Sequence, residues 1–577
     1  MASEKSEITP AGQGPLDHSD GSAAIDTESN QGAIPAPTEA LRKLWTKFPL
    51  TLAFVGLFVM NFSMVFAASS AGVYDPYATS HFQGHSLIAT ANIVHGIVRI
   101  VAYPLLAKVV DHIGRPQGFA GAAISMALAN VLYAACHNVE TYLAGGIFES
   151  FGDTWWTITE QIFIAEVTSL INRGFLFTLP ESLAAIPTLY AGTYLGEHML
   201  LKSSWRWGFG MWAAIMPFCA LPTIAVMVFM SLRARKRGIV SKRTSLRAAS
   251  EIPKGASWFV QARQVLYVQL DIVGAFLLLG GLAMTLLPLS ITGRRNTEKW
   301  TEPSSIVLLV VGVFTFVAFL IWDGWYAKKP IVPFRMIKNR NVILACASVA
   351  GGYSPGHAVR IDNSRRVALN LGGLVIGLGI RFVKHTKPFI ILGFLMVALA
   401  NGLPIYFTNI EGVRVANEAA LTTGQVLLGL GRGFAQVPLQ VSLQAAVPDH
   451  EIGIATAMFL SIGGALWNTL LPRRLSANLP EEAKANSTAI FRSIVVAQSY
   501  ELGTETRDAI NLSYRMTQQT LAIGSLSLSI PLVLMMFFFR NVKLAKEDDE
   551  RNEVAKQQLA AAGQRLESGH NEPSEKK

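Results

Sequence analysis

The chain has 577 residues, of which 51% are hydrophobic and only 15% charged, where ordinary soluble domains carry about a quarter of charged residues. That balance argues against a soluble enzyme, and a formal charge of +10 spread over many short loops argues against a nucleic-acid surface. Three cysteines, Cys136, Cys219 and Cys346, each lie within or beside an apolar block, so neither a disulfide framework nor a thiolate metal cage is expected.

Residues 1–48 are polar and rich in Ser, Gly, Glu, Asp and Pro; they predict a disordered cytosolic tail without a cleavable signal. Apolar blocks of about 20 residues follow, the length that carries a helix across roughly 30 Å of hydrocarbon. Six of them, at 49–70, 86–110, 117–136, 141–164, 175–197 and 208–231, predict an N-terminal six-helix bundle over 49–231. The loop 232–270 is basic, with Arg233-Ala-Arg-Lys-Arg237, Lys242, Arg243 and Arg247. Directly after a span such a run reads as an anchor for anionic lipid rather than a nucleic-acid patch.

Further blocks at 271–292, 304–324, 365–383, 387–407, 420–443, 451–471 and 519–540 predict the C-terminal helices over 271–540, before a charged cytosolic tail at 541–577. One apolar piece, 341–353, is too short to span, and 354–366 is too charged to lie in lipid. It is either a truncated helix or a re-entrant segment. Counted as a crossing, it puts both tails on the side that holds about two thirds of the loop lysines and arginines, as the positive-inside rule requires.

Charged groups deep in a membrane are costly and so mark candidate functional positions. In the fourth span Glu149, Asp153, Trp156 and Glu160 fall at spacings that share one helical stripe. Arg99 and His95 of the second span lie at matching depths, which predicts an Arg99–Asp153 pair and places His95 near Glu149 as parts of a proton-coupling site. Glu181 in the fifth span is a further candidate relay, or a partner of Arg173. Arg432, within Gly429-Leu-Gly-Arg-Gly433, lies near the midplane among glycines that permit close helix approach. The loop 472–518 is long enough to be a lid over the outer mouth, with Tyr500, Arg507 and Tyr514 at helical spacing. Asn486-Ser-Thr488 and Asn511-Leu-Ser513 are glycosylation acceptors on that side, whereas Asn61-Phe-Ser63 lies inside a span and is not. No phosphate-binding Gly-x-x-x-x-Gly-Lys-Ser/Thr loop occurs, and no position suggests covalent catalysis.

The turn Ala107-Lys-Val-Val-Asp111-His-Ile-Gly114-Arg115-Pro116 resembles the Gly-x-x-x-Asp-x-x-Gly-Arg loop of the major facilitator superfamily, departing from it at Ala107, His112 and Pro116. Its Asp111, Gly114 and Arg115 would form the conformational-switch loop, an acid and a guanidinium pairing across the bundle interface. Four longer blocks are similar to the fungal siderophore iron transporter family: Tyr74-Asp-Pro-Tyr-Ala-Thr-Ser-His-Phe82, Ile164-Ala-Glu166 through Arg173, Tyr194-Leu-Gly-Glu-His-Met-Leu-Leu-Lys-Ser-Ser-Trp-Arg-Trp-Gly208, and Tyr500-Glu-Leu-Gly-Thr-Glu-Thr-Arg507-Asp-Ala-Ile510.

This resemblance covers about residues 50–540. It implies an all-α polytopic membrane protein with two bundles and fourteen helices, the ninth truncated here. It further implies proton-coupled import of ferric siderophores, of hydroxamate type, by a monomer in a plasma or endosomal membrane. Iron would arrive chelated, so no resident cofactor or protein metal site is expected. The chelate's site would combine Tyr74, Tyr77, Trp155, Trp156, Tyr194 and Arg432 with the loop residues Tyr500, Arg507 and Tyr514. A drug:proton antiporter is the alternative within transporters, although Leu179-Pro-Glu-Ser-Leu-Ala-Ala-Ile-Pro187 lacks the Gly-Pro expected of one. A non-transporting or defective form is the alternative raised by the region 350–366.

Overall fold

The computed structural model describes residues 45–81, 88–236, 260, 263–292, 303–331, 359–407, 418–445, 475, 477–484, 486–487, 499–501, 503–547, 549–550 and 553. Among these the chain is helical throughout, without a β-strand. The six helices of the N-terminal bundle are α1 (Lys47–His81), α2 (Ile88–Ile113), α3 (Arg115–Ala135), α4 (Val139–Val167), α5 (Leu170–Lys202) and α6 (Trp205–Lys236). The later helices are α7 (Ile272–Thr292), α8 (Pro303–Ile321), α9 (Val359–Val383), α10 (Lys387–Phe407), α11 (Glu418–Ala445), the single turn α12 (Glu481–Lys484) and α13 (Glu505–Phe537). The expected span at 451–471 and the short piece 341–353 lie outside the described residues.

Seven of these helices are long and apolar enough to cross a membrane. α4 is not among them because its acids lower its hydropathy, although its length of 29 residues suffices.

Local signals set the helix ends. α4 starts at Asn138, whose side chain accepts from Thr141 N at 2.9 Å, with Glu140 in the first turn, an N-cap reinforced by the helix dipole. Its last carbonyls are met by Arg173, which donates to the Ala165 oxygen at 2.7 Å. The turn into α3 needs Gly114, whose φ is +98°, a conformation that side chains with a Cβ rarely adopt.

Two helices begin six or more residues before their apolar blocks. α13 starts at Glu505 instead of 519 because Thr504 caps it, accepting from Arg507 N at 3.3 Å. Its first turns bury Ile510, with Tyr514 alongside, against Leu475, Leu479 and Ala483. α9 starts at Val359 and carries Arg365 and Arg366 on its first turns, so helical structure continues beyond the apolar stretch.

Within lipid, helices gain little from apolar burial and associate through close packing and hydrogen bonds. The N-terminal bundle shares one core, in which Leu57 and Met60 of α1, Phe119 of α3, Trp156 and Phe163 of α4, and Trp212 of α6 interlock. α7 and α8 pack on α2 through Val101, Ala275, Leu278 and Phe319. α11 runs between α9 and α10 on glycine: a Cβ at Gly433 would lie 2.6 Å from Gly373 N, and one at Gly431 2.9 Å from the Gly393 oxygen.

The halves meet chiefly where α5 lies along α9. Gly377 sits against Phe175, Ser182 Oγ donates to Asn370 Oδ1 at 3.2 Å, and Asn363 Nδ2 donates to the Leu189 oxygen at 3.2 Å. After α13 the chain folds back at the end of the bundle that carries Gly114. Leu544 N donates to the Lys384 oxygen at 3.1 Å, and Val542 and Leu544 are buried with Leu170, Ile376 and Val441. The start of the expected charged tail is therefore a packed strap, because Val542 and Leu544 are apolar at alternating positions.

Candidate functional site

α4 is the hub of the N-terminal bundle. Its Asp153 Oδ2 lies 3.0 Å from Arg99 Nη2 of α2, the pairing that matched depths predict. The two side chains remain 47% (Arg99) and 36% (Asp153) exposed, so the contact is not sealed by protein.

One turn along, Glu149 accepts from the Tyr133 hydroxyl of α3 at 2.6 Å. His95 packs its ring against Gly146, one turn from Glu149 and next to the Tyr133 hydroxyl, and among the described residues its Nε2 has no hydrogen-bond partner. Gly146 leaves space for that ring, since a Cβ there would collide with His95 Nε2. Further on, Glu160 is buried and held by Asn61 of α1, whose Nδ2 lies 2.9 Å from Oε1 and 3.2 Å from Oε2.

The stripe thus divides by partner. Trp156, which shares it in sequence, is fully buried edge-on against Phe119 at 4.7 Å and faces no ligand space.

A cavity of about 100 Å³ opens where α4 and α5 meet α9 and α11. Its polar walls are Glu160, Gln161, Glu181, Asn370, Gln436 and Gln440. Glu181 therefore faces the junction of the halves, while Arg173, proposed as its partner, caps α4. Arg432 sits one turn before Gln436, half-buried between the glycine contacts of α11.

Sequence reasoning missed Asn61, Tyr133, Asn370 and the glutamines. Arg432, Gln436 and Gln440 recur at spacing four in an apolar block, and an asparagine inside the first span was itself a signal.

The aromatic candidates separate by burial. Tyr74 is fully buried against Phe209, with ring centroids 5.4 Å apart, and so fills the core rather than a ligand wall in this conformation. Trp155 is partly buried, beside Phe151 and over Gly121. Tyr77 and Tyr194 are exposed at 58% and 72%, Tyr194 stacked on His198.

In the last loop Tyr500 is not on the helix of Arg507 and Tyr514, because Gly503 with φ +90° breaks the chain before Thr504. Tyr500 and Tyr514 nevertheless pack on the same small cluster. Asn486 is exposed and donates to the Tyr500 hydroxyl at 3.4 Å; Asn511 lies on α13, two residues before the buried Ser513.

At the α2–α3 turn Arg115 Nη1 lies 2.8 Å from Asp111 Oδ1, and its other amino group binds Glu166 at the end of α4. The expected pairing across the bundles is here a contact within one bundle, since Glu166 supplies the second carboxylate on the near side. A guanidinium holding two acids fixes the turn against α4.

The Major Facilitator Superfamily family model matches residues 52–383. Over 546 residues the chain is 31% identical to MFS siderochrome iron transporter C of Aspergillus fumigatus, covering 89% of this chain and 87% of that protein. It is 30% identical to siderophore iron transporter mirC of Emericella nidulans, covering 95% and 93%, and 26% identical to siderophore iron transporter 1 of Schizosaccharomyces pombe, covering 86% and 82%. With the helical bundle, the glycine turn and its ionic partners in place, the chain belongs to the major facilitator superfamily, in the branch of the fungal siderophore iron transporters.

Proposed function

We propose that this protein imports ferric siderophores, of hydroxamate type, driven by protons. The observation that carries the substrate is similarity over nearly the whole chain to relatives named as siderophore iron transporters. The Arg99–Asp153 pair supports proton coupling, because protonating Asp153 would cancel the attraction and free α2 from α4. Glu149, Glu160 and Glu181 extend this acidic line to the cavity between the halves.

A cavity of about 100 Å³ is well below the roughly 300–1,000 Å³ of small-molecule sites, so the bulky chelate binds a more open state. Tyr77, Trp155, Tyr194 and Arg432 are the groups such opening would bring to it. The cap of Tyr500, Arg507 and Tyr514 closes over the mouth. Iron stays in its chelate throughout.

The protein works as a monomer of fourteen helices in a plasma or endosomal membrane. Both tails are cytosolic, Asn486 and Asn511 are glycosylated outside, and the basic residues after α6 rest on anionic lipid.

The test is uptake of radiolabelled ferric hydroxamate siderophore by cells lacking their own carriers, with and without a protonophore. Accumulation that the protonophore abolishes is expected for the wild type, and none for Asp153→Asn at equal surface abundance. Full accumulation by Asp153→Asn would remove that residue from the coupling, and no uptake by surface-expressed wild type would overturn the reading.

A further inference from the structure

α1 and α4 cross where Asn61 meets Glu160. Both side chains are withdrawn from solvent, at 6% and 8% exposure, and the Asn61 amide reaches both carboxylate oxygens. Burial favours the neutral form of an acid unless a donor or a cation holds the charge.

Among the described residues Glu160 makes no ion pair. Glu181 of α5 lines the same cavity. α9 and α11 bring the neutral amides of Asn370, Gln436 and Gln440 to the shared cavity. On α4 itself Asp153 and Glu149 lie further along the stripe, one held by Arg99 and the other by Tyr133. Asn61 is the donor that reaches both oxygens of the carboxylate, and the Trp156 indole of α4 lies beside it as a further donor.

A carboxamide suits both states of its partner. Its N–H groups donate to the carboxylate, and after a half-turn of the amide its oxygen accepts from the protonated acid. We infer that Asn61 is a positioning residue that fixes Glu160 and sets the pH range over which this acid exchanges its proton. This inference rests on the proton-coupled reading of Glu160 given above.

The sign follows from which form loses its partner. Without the donor the ionised form is the one destabilised, so the acid keeps its proton to higher pH. Uptake that needs the protonated acid then fails at higher pH, and the alkaline limb of the uptake profile moves upward. Losing one hydrogen bond to a charged group corresponds to a shift of about one to two pH units.

The experiment measures initial uptake of ferric hydroxamate siderophore against external pH in intact cells expressing the full chain, normalised to surface abundance. Wild type, Asn61→Leu, Asn61→Asp, Asn61→Gln and Glu160→Gln are compared. Asn61→Leu moves the alkaline limb up by about one unit or more. Asn61→Asp is isosteric and sets two acids side by side, which share a proton, so it moves the limb at least as far. Asn61→Gln keeps the carboxamide and returns the limb toward wild type.

An unmoved limb in Asn61→Leu and Asn61→Asp, whatever their abundance, overturns the inference and leaves Asn61 a packing residue. If Asn61→Leu fails to reach the membrane, Asn61→Asp decides alone, because it preserves shape. Glu160→Gln separates the two levels of the argument: protonophore-sensitive accumulation in that variant removes Glu160 from the coupling. Loss in that variant with an unmoved limb in the Asn61 variants leaves the coupling standing and removes only the part assigned to Asn61.

Discussion

Both halves of this protein pack helices through glycine, as Gly56 against Thr223 N and Gly192 against the Phe66 oxygen show in the N-terminal bundle, but they differ in the polar contacts between helices. Among the described residues of the N-terminal bundle, α4 meets its neighbours through five side-chain pairs that each contain an ionisable group: Tyr142 with Asp75, Glu149 with Tyr133, Asp153 with Arg99, Glu160 with Asn61, and Glu166 with Arg115. In the C-terminal half α9, α10 and α11 close on backbone at Gly373, Gly393, Gly431 and Gly433, and a polar contact such as Ser442 with Thr386 at 2.7 Å is neutral. Packing through glycine does not depend on protonation and deforms little. Contacts that contain a carboxylate can be remade when it takes a proton. The difference assigns rigidity to the glycine seam of one half and responsiveness to the ionisable contacts of the other.

The sharpest way to break this comparison is to fill a glycine contact. Gly433→Leu must push a side chain into the backbone of α9, where even a Cβ would lie 2.6 Å from Gly373 N. Overpacking of this kind costs about 1–3 kcal/mol where neighbours can shift and more where they are backbone. We expect surface abundance and detergent-solubilised thermal stability to fall severely in Gly433→Leu. Gly524→Ala is the control, since nothing lies within 4 Å of a Cβ there, and it stays near wild type. Normal stability of Gly433→Leu would show that the glycine seam is loose and end the assignment of rigidity.

A smaller effect is expected at the charged turn of the N-terminal bundle. Arg115 holds Asp111 and Glu166 at once, which a planar guanidinium does and a lysine ammonium does not. Arg115→Lys keeps the charge but gives up one of the two carboxylates, a loss of about 1–2 kcal/mol. Because both partners are partly exposed, much of the ionic contribution is screened. The measurement is a double-mutant cycle with Glu166→Gln, read by thermal stability and by uptake rate. A coupling energy near zero would mean that Glu166 does not hold the turn and that Arg115 acts through Asp111.

How much of this was legible in the sequence follows the same division. The acids of α4 stand out because a charge in an apolar block is conspicuous, and matched depth was enough to pair Arg99 with Asp153. Partners that carry no charge stood out less. Tyr133 reads as an interfacial aromatic and Asn61 as a stray acceptor motif, and only the crossing of α1, α3 and α4 brings them to Glu149 and Glu160. Helix ends outside lipid were missed for a related reason. Hydropathy marks the apolar stretch, whereas caps such as Thr504 and packing of Ile510 carry α13 about four turns further. Burial was equally silent: Tyr74 and Tyr77 belong to one short motif, yet one fills a core and the other is open.

The finest test of the comparison is Tyr133→Phe, which removes one oxygen and leaves the ring. That ring is fixed by Phe209 at 4.6 Å and Tyr142 at 4.9 Å, so packing is preserved and the change reports the bond to Glu149. Loss of a hydrogen bond to a carboxylate costs about 1–2 kcal/mol in the ionised state and less once the acid is protonated. Tyr133→Phe should therefore keep wild-type surface abundance, lose a few degrees of thermal stability at neutral pH, and recover part of that loss as pH falls and Glu149 takes a proton. The check is thermal unfolding of purified protein over a pH series, beside Glu149→Gln. A deficit of the same size at every pH would mean that Glu149 does not change charge in the folded protein. The Tyr133 contact would then be as fixed as the glycine seam, and responsiveness would have to be sought at Asp153 and Glu160.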